Sequence, residues 1–392
     1  MAAPTERDAP SLAGEAVAVS GRCDERFGAV RAAFADNFAS GRDVGASVAV
    51  FLDGRPVVDL WGGVADPATG APWRSDTIVP TASCTKTATA LTTLLLADRR
   101  EIDLDAPVCR YWPTFAANGK KGVLVRHCLG HTAGLPGWDE PLVFADLYDW
   151  EKVTSLLAAQ APWWEPGTAS AYHAHTLGFL VGEIVRRVTG QSIGAVLARE
   201  VAGPLGADYH IGLDPRHDHR LGRIVTSGAP PPPAPPPGSI AARIIDNPVT
   251  ELADLAGDER FVRAEIPGGN GCGNARSLAL MLSLLACGGE VGGGRRLMSA
   301  AGCEAVLRQQ SEGVDLGFLA PVRWSLGFAL QLGAMTLGPR SCFWGGHGGS
   351  LVVVDLERRL SFAYVMNRMV GAPFGDRRNA SLLAATYAGL KA

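Results

Sequence analysis

Pro80-Thr81-Ala82-Ser83-Cys84-Thr85-Lys86 runs without a break into Thr87-Ala88-Thr89-Ala90-Leu91-Thr92-Thr93-Leu94-Leu95-Leu96. From about Ser83 to Arg100 the chain reads as an apolar helix, buried rather than surface-lying. Pro80 and Thr81 suit the entrance to such a helix. If it opens at Ser83, Lys86 stands one turn on and on the same face, since residues three apart are neighbours. The Ser83 hydroxyl then sits at the positive end of the helix dipole beside an amine, and both favour an alkoxide-like nucleophile. A lysine at the head of this helix has no obvious solvated face. Burial would lower its pKa and make it a usable proton acceptor. Alone, Ser-x-x-Lys is a weak signal, more often an ordinary N-cap with an exposed lysine, so the rest of the chain has to decide.

Upstream, Glu25 to Ala39 carries Phe27, Val30, Ala33, Phe34 and Phe38 at helical spacing. Two β-rich runs, Ala46 to Leu52 and Pro56 to Trp61, flank Asp53-Gly54, a short-range hairpin signal. Downstream, Trp324 to Leu332 reads as a strand. Ser350 to Leu356 and Leu360 to Asn367 read as a second hairpin, and Asp376 to Leu390 as a helix. The chain between about 100 and 310 reads as mainly helical with Pro/Gly breaks. Strands at both ends and helices between them predict an α+β fold: an α/β sandwich with one antiparallel sheet built from residues 21–100 and 311–392, and a mainly helical insertion over 101–310. Residues 1–20 are small and polar and are expected to be poorly ordered. The proline run at 230–237 cannot be helix or central strand and is expected to be an extended surface loop.

A chain of 392 residues with a formal net charge of −3 and scattered basic residues points to neither nucleic acid nor an anionic membrane surface. The cysteines at 23, 84, 109, 128, 272, 287, 303 and 342 form no Cys-x-x-Cys pair, and their wide spacing favours free thiols in a reducing compartment. With no basic and apolar leader at the N-terminus and no run long enough to span a bilayer, a cytoplasmic protein is expected. No Walker loop, His-Glu-x-x-His or complete G-x-G-x-x-G is present, so no cofactor is implied. His173 and His175, like His217 and His219, lack acidic or cysteine partners at ligand spacing, so no metal site is expected.

Gly190-Gln191-Ser192-Ile193-Gly194 matches G-x-S-x-G, but that elbow requires a preceding strand. Here Leu177, Leu180, Val181, Ile184, Val185 and Val188 have helical spacing. Gly190 therefore reads as a helix stop and Ser192 as a capping or turn residue. Ser83 is the preferred nucleophile.

Further stretches follow Ser83-x-x-Lys86 in order: Leu104-Asp105, Val125-Arg126-His127 to Gly134-Leu135-Pro136, Pro166-Gly167, Tyr172-His173-Ala174, Asn270-Gly271, Trp344-Gly345-Gly346 and Gly348-Gly349-Ser350. In this order and spacing the chain resembles the class C β-lactamase and penicillin-binding-protein superfamily, and more narrowly its esterase branch, the family VIII carboxylesterases. The resemblance runs from about Val44 to Asn367. It implies a β-lactamase/transpeptidase-like fold with Ser83 as the acylated nucleophile and with Lys86 and Tyr172 sharing the general-base and general-acid work. The backbone N–H groups of Ser83 and His347 would form the oxyanion hole. Ala174, Trp344, Gly345 and Gly346 would line the substrate site. If the register slips, the His347 side chain takes the lysine/histidine place of the third motif instead.

Two departures bear on substrate. Ala174 stands where β-lactamases carry an asparagine that bonds the substrate's acylamide chain, and Trp344 replaces a cation that meets the lactam carboxylate. Both imply an uncharged small-molecule ester substrate, with weak β-lactamase activity at most; the short acyl chain is what the resemblance to the esterase branch implies, not either residue. An acyltransferase on the same scaffold, a D-amino-acid peptidase and a non-catalytic binding protein are the competing readings. The residues leave the oligomeric state open.

Overall fold

The computed structural model describes residues 17–226, 233–249, 258–291, 295–370 and 376–391. Three N-terminal strands, β1 (Ser20–Cys23), β2 (Gly45–Leu52) and β3 (Arg55–Asp66), share one antiparallel sheet with six C-terminal ones. These are β4 (Ser311–Asp315), β5 (Ala320–Trp324), β6 (Ala329–Leu332), β7 (Ser341–Gly345), β8 (Leu351–Asp355) and β9 (Leu360–Met366). The order is β1-β3-β2-β9-β8-β7-β6-β5-β4. The two ends of the chain meet at its centre, where β9 pairs with β2 from Leu360↔Leu52 to Met366↔Ala46. The Asp53-Gly54 turn forms as expected, with both residues at positive φ (49° and 72°), the geometry a two-residue hairpin needs.

Helices of ten residues or more are α1 (Gly28–Ala39), α2 (Thr85–Asp98), α3 (Trp150–Ala159), α4 (Thr176–Thr189), α5 (Ala275–Ala286) and α6 (Arg377–Gly389). Every residue of β9 is buried, so both faces of the sheet are covered. On one face small side chains let α5 come close: Ser361 donates to the Ala279 carbonyl (2.6 Å) and Ser47 accepts from the Ala275 amide (3.2 Å). On the other, Tyr364 donates to Asp43 (2.6 Å), and Arg378 of α6 pairs with both Asp43 and Asp376. Burial pushes the Asp43 carboxyl up to about 6. The result is an α/β sandwich with a further helical layer, in which α2 packs on both α4 and α5. Thr85 through Leu96 of α2 are all buried, so this helix links the sheet to the helical region and carries its N-terminus into the junction between them.

Several details differ from the expectation. The segment Trp324–Leu332 is not one strand. It breaks at Ser325–Phe328, where Gly327 (φ 82°) bonds the Leu129 carbonyl (3.0 Å) and packs so tightly on Ala90 of α2 that a Cβ there would collide with it. Residues 99–149 hold only short helical turns, of five residues or fewer, because prolines and glycines interrupt them. Helix α5 lies within the 101–310 stretch yet packs on β2, β8 and β9. Residues 1–16, most of the segment expected to be poorly ordered, lie outside the described residues; at its end, Ser20 already starts β1. Of the proline run, 230–232 also lie outside, and 233–237 follow an irregular, largely exposed path.

Candidate active site

The chain enters α2 through a short 3-10 turn, Ala82–Cys84, with Ala82 in the left-handed region at φ 48°. Neighbours from three directions pin this turn. Thr81 donates its amide to the Gly271 carbonyl (2.8 Å) and shares a hydrogen bond with the Tyr209 hydroxyl (2.7 Å), and Ser350 donates to the Thr81 carbonyl (2.9 Å). A non-glycine residue at positive φ is costly and persists where its surroundings hold it. Here the surroundings present Ser83 at the cavity wall.

One turn on, Lys86 Nζ lies 3.1 Å from Ser83 Oγ. Tyr172 arrives from a loop 89 positions away and donates its hydroxyl to Ser83 Oγ at 2.7 Å. Lys86 is buried, and among the described residues no carboxylate pairs with it; it donates instead to the main-chain carbonyls of Ala174 (2.6 Å) and Gly268 (2.5 Å). Burial lowers its pKa to about 7. A neutral amine has two N–H groups and one lone pair. With the N–H groups given to the two carbonyls, the lone pair faces the Ser83 hydroxyl, the arrangement a base requires. Burial pushes the Tyr172 phenol above the ordinary tyrosine range, eased by its hydrogen bonds with Ser83 and the Trp344 indole. A phenol so placed holds its proton at neutral pH and can give it up only as charge develops nearby.

His173, His175 and Cys84, also beside the site, stay uncharged at neutral pH. Burial, with the Lys86 charge adding to it, lowers His173 to about 4 and His175 to about 3. His173 accepts from the Leu135 amide (3.3 Å), and its other ring nitrogen meets the Ala171 carbonyl (2.7 Å). Cys84, next to the serine, is pushed up to about 12 by burial and stays a thiol.

Ser83, Tyr172, Ala174 and His347 all border a cavity of about 280 Å³. Its apolar wall includes Phe144, Ile224, Ile244, Ile245, Phe261 and Met369, and among the described residues no Asp, Glu, Lys or Arg side chain lines it. Trp344 does not stand where the sequence suggested. It is buried behind Tyr172, with ring centroids 5.1 Å apart and 4.9 Å from Trp324, so the apolar substrate wall comes from isoleucines and phenylalanines instead. Gly345 and Gly346 also lie off the cavity. Gly346 packs against the nucleophile turn: a Cβ there would collide with Ser350 and sit 2.5 Å from the Thr81 carbonyl. Gly346→Ala is therefore expected to push the turn aside and cost about tenfold or more in kcat, read by steady-state kinetics beside a thermal melt.

Three contributors escaped the sequence reading. The carbonyls of Ala174 and Gly268 that hold Lys86 are main-chain atoms; the one signal that could have marked them is the glycine pair Gly268-Gly269, which permits a close backbone approach. The third, Asp315, accepts the Tyr172 amide (3.0 Å). Ser192, by contrast, is the N-cap of a short helix, Ile193–Leu197; it accepts from the Ala195 amide and donates to Glu265 (2.5 Å), with Gly190 (φ 70°) closing α4. Ser192→Ala is expected to cost about 1 kcal/mol of stability and leave ester turnover within about twofold, checked by denaturant unfolding and kinetics.

A serine, an amine and a phenol converging at the head of a buried helix, beside an antiparallel sheet, define a serine hydrolase of the β-lactamase-like fold. Comparison with known proteins agrees. Residues 30–387 match the beta-lactamase family. The chain is 35% identical to the esterase/beta-lactamase LipL of Mycobacterium tuberculosis over 366 residues, 90% of this chain and 83% of that protein. Among solved structures, a family VIII carboxylesterase superposes with a TM-score of 0.88 at 42% identity, covering 95% of this chain and all of that one. A penicillin-binding protein homologue from Caulobacter crescentus superposes at 0.85 with 35% identity, again over 95% of this chain and all of its own. The chain belongs to the beta-lactamase family. Among the described residues no helix is long and apolar enough to cross a membrane.

Proposed function

We propose that this protein is a carboxylesterase that cleaves uncharged esters, with short acyl chains preferred, through an acyl-Ser83 intermediate. The observation that carries the reading is the convergence of Lys86 and Tyr172 on Ser83 Oγ at 3.1 and 2.7 Å. Ser83 gives its proton to the Lys86–Tyr172 pair as Oγ bonds to the ester carbonyl carbon. The carbonyl oxygen gains the negative charge, which the N–H groups of Ser83 and His347 would meet; two such donors are often the largest catalytic term. As the tetrahedral species collapses, Tyr172 protonates the departing alkoxide and recovers a proton from Lys86. Water then attacks the acyl carbon, losing its proton to the same pair, and Ser83 leaves with a proton restored.

The close packing of Gly346 on Thr81 and Ala82 supports the role given to the His347 amide, since it holds the end of β7 against the nucleophile turn. The lack of an Asp, Glu, Lys or Arg side chain among the described lining residues and the methyl group of Ala174 support an ester rather than a β-lactam substrate, because the first leaves a carboxylate without a fixed cation and the second leaves an acylamide without an amide partner. The eight unpaired cysteines support a reducing, cytoplasmic location. Purified protein is expected to hydrolyse p-nitrophenyl acetate and butyrate at least about 100-fold faster, by kcat/KM, than nitrocefin. Efficient nitrocefin turnover with no ester turnover would overturn the assignment.

A further inference from the structure

Asp315 ends β4 and is fully buried, yet it belongs to none of the motifs read from the sequence. One carboxylate oxygen accepts three main-chain N–H groups, from Gly317 (2.9 Å), Phe318 (3.0 Å) and Tyr172 (3.0 Å); the other accepts the Trp324 indole (2.8 Å). The first two bonds shape the β4–β5 turn. The third reaches a residue 143 positions away that carries the phenol of the active site. The Leu316 amide adds a second tie, to the Ser170 carbonyl (2.8 Å).

The same carboxylate also sets the rings around that phenol. Phe318, whose amide it holds, stacks on Tyr172 with centroids 4.8 Å apart and planes 22° apart; Trp324, whose indole it holds, lies nearly parallel to Tyr172 at 6.0 Å. A buried carboxylate is costly unless fully hydrogen-bonded. Here its donors are the backbone of Tyr172 and the supports of two of its ring neighbours. We propose that Asp315 is a positioning residue for Tyr172, holding its main chain and stacked ring so that the hydroxyl stays within reach of Ser83. The proposal rests on the reading that Tyr172 takes part in acyl transfer. Asp315 touches no cavity surface, so it acts through Tyr172 and not on the substrate.

A double-mutant cycle separates this from general support of the fold. Asp315→Asn keeps one carbonyl oxygen and loses the charge; Asp315→Ala removes every bond. With p-nitrophenyl butyrate, Asp315→Asn is expected to lower kcat about tenfold and Asp315→Ala about 100-fold, with KM within about threefold. In a Tyr172→Phe background the same substitutions are expected to cost less than about threefold further, because the group they position is already gone. Equal fold-losses in both backgrounds would overturn the proposal, as would unchanged kcat in the folded Asp315→Asn protein. If Asp315→Ala does not fold, Asp315→Asn carries the cycle alone. A fully active Tyr172→Phe protein would instead defeat the assignment of Tyr172 itself, whatever Asp315 does.

Discussion

Ser83→Ala is expected to lower ester hydrolysis by about 10⁴-fold or more, to the background left by binding and amide donors alone. The size of the effect follows from the absence of a substitute. Among the described residues, Ser83 is the hydroxyl that both Lys86 and Tyr172 address. The adjacent Cys84 is buried, holds its proton and faces Ser350 and the Trp344 carbonyl. Stability should change little, by about 1 kcal/mol, because the hydroxyl lost is a partner to two side chains and not a support of the turn, which Thr81 and Ser350 pin. Loss of turnover with an unchanged melt, set beside the nearly full activity of Ser192→Ala, would separate the two candidate serines in one experiment.

The second large effect belongs to Lys86. Lys86→Met fills similar space without an amine and is expected to reduce kcat/KM by about 10²–10⁴-fold, the range general-base catalysis supplies. The pH dependence gives the sharper test. With its pKa lowered to about 7, the amine is protonated below that pH and has no lone pair for Ser83; above it, the free base predominates. The kcat/KM of the wild type should therefore rise tenfold per pH unit on the acid side and level off near pH 7, and Lys86→Met should lose that limb. The buried histidines beside the site are not rival sources of the limb: burial lowers His173 to about 4, His175 to about 3 and His131 well below its ordinary value, and it also lowers His347 at the cavity. A limb that persists near pH 7 in Lys86→Met would assign it elsewhere.

Much of this site was legible because its parts are local patterns. Ser83 and Lys86 lie within one helical turn, and Asp53-Gly54 specifies its hairpin through backbone chemistry that needs no tertiary partner. Ser192 was legible as a cap because the helix before it and the glycine stop are both local. What stayed hidden depends on contacts across the fold. Gly327 ends a strand because Ala90, on a helix more than 200 positions earlier, leaves no room. The Trp344 ring turns behind Tyr172, not toward the cavity, and no spacing rule announces that. The carbonyls that hold Lys86 belong to residues whose side chains have no part in the contact, so residue type carries no signal for them. Asp315 is an isolated acid beside a turn, and only the folded chain brings Tyr172 to it.

The central claim is that the acyl group of an ester resides for a time on Ser83. Rapid mixing with p-nitrophenyl butyrate, acid quenching and intact-mass measurement tests it most directly. The account predicts a single added butyryl group, which peptide mapping places on Ser83 and which is absent in Ser83→Ala. A butyryl group on any other residue, or full turnover by the Ser83→Ala protein, would contradict it.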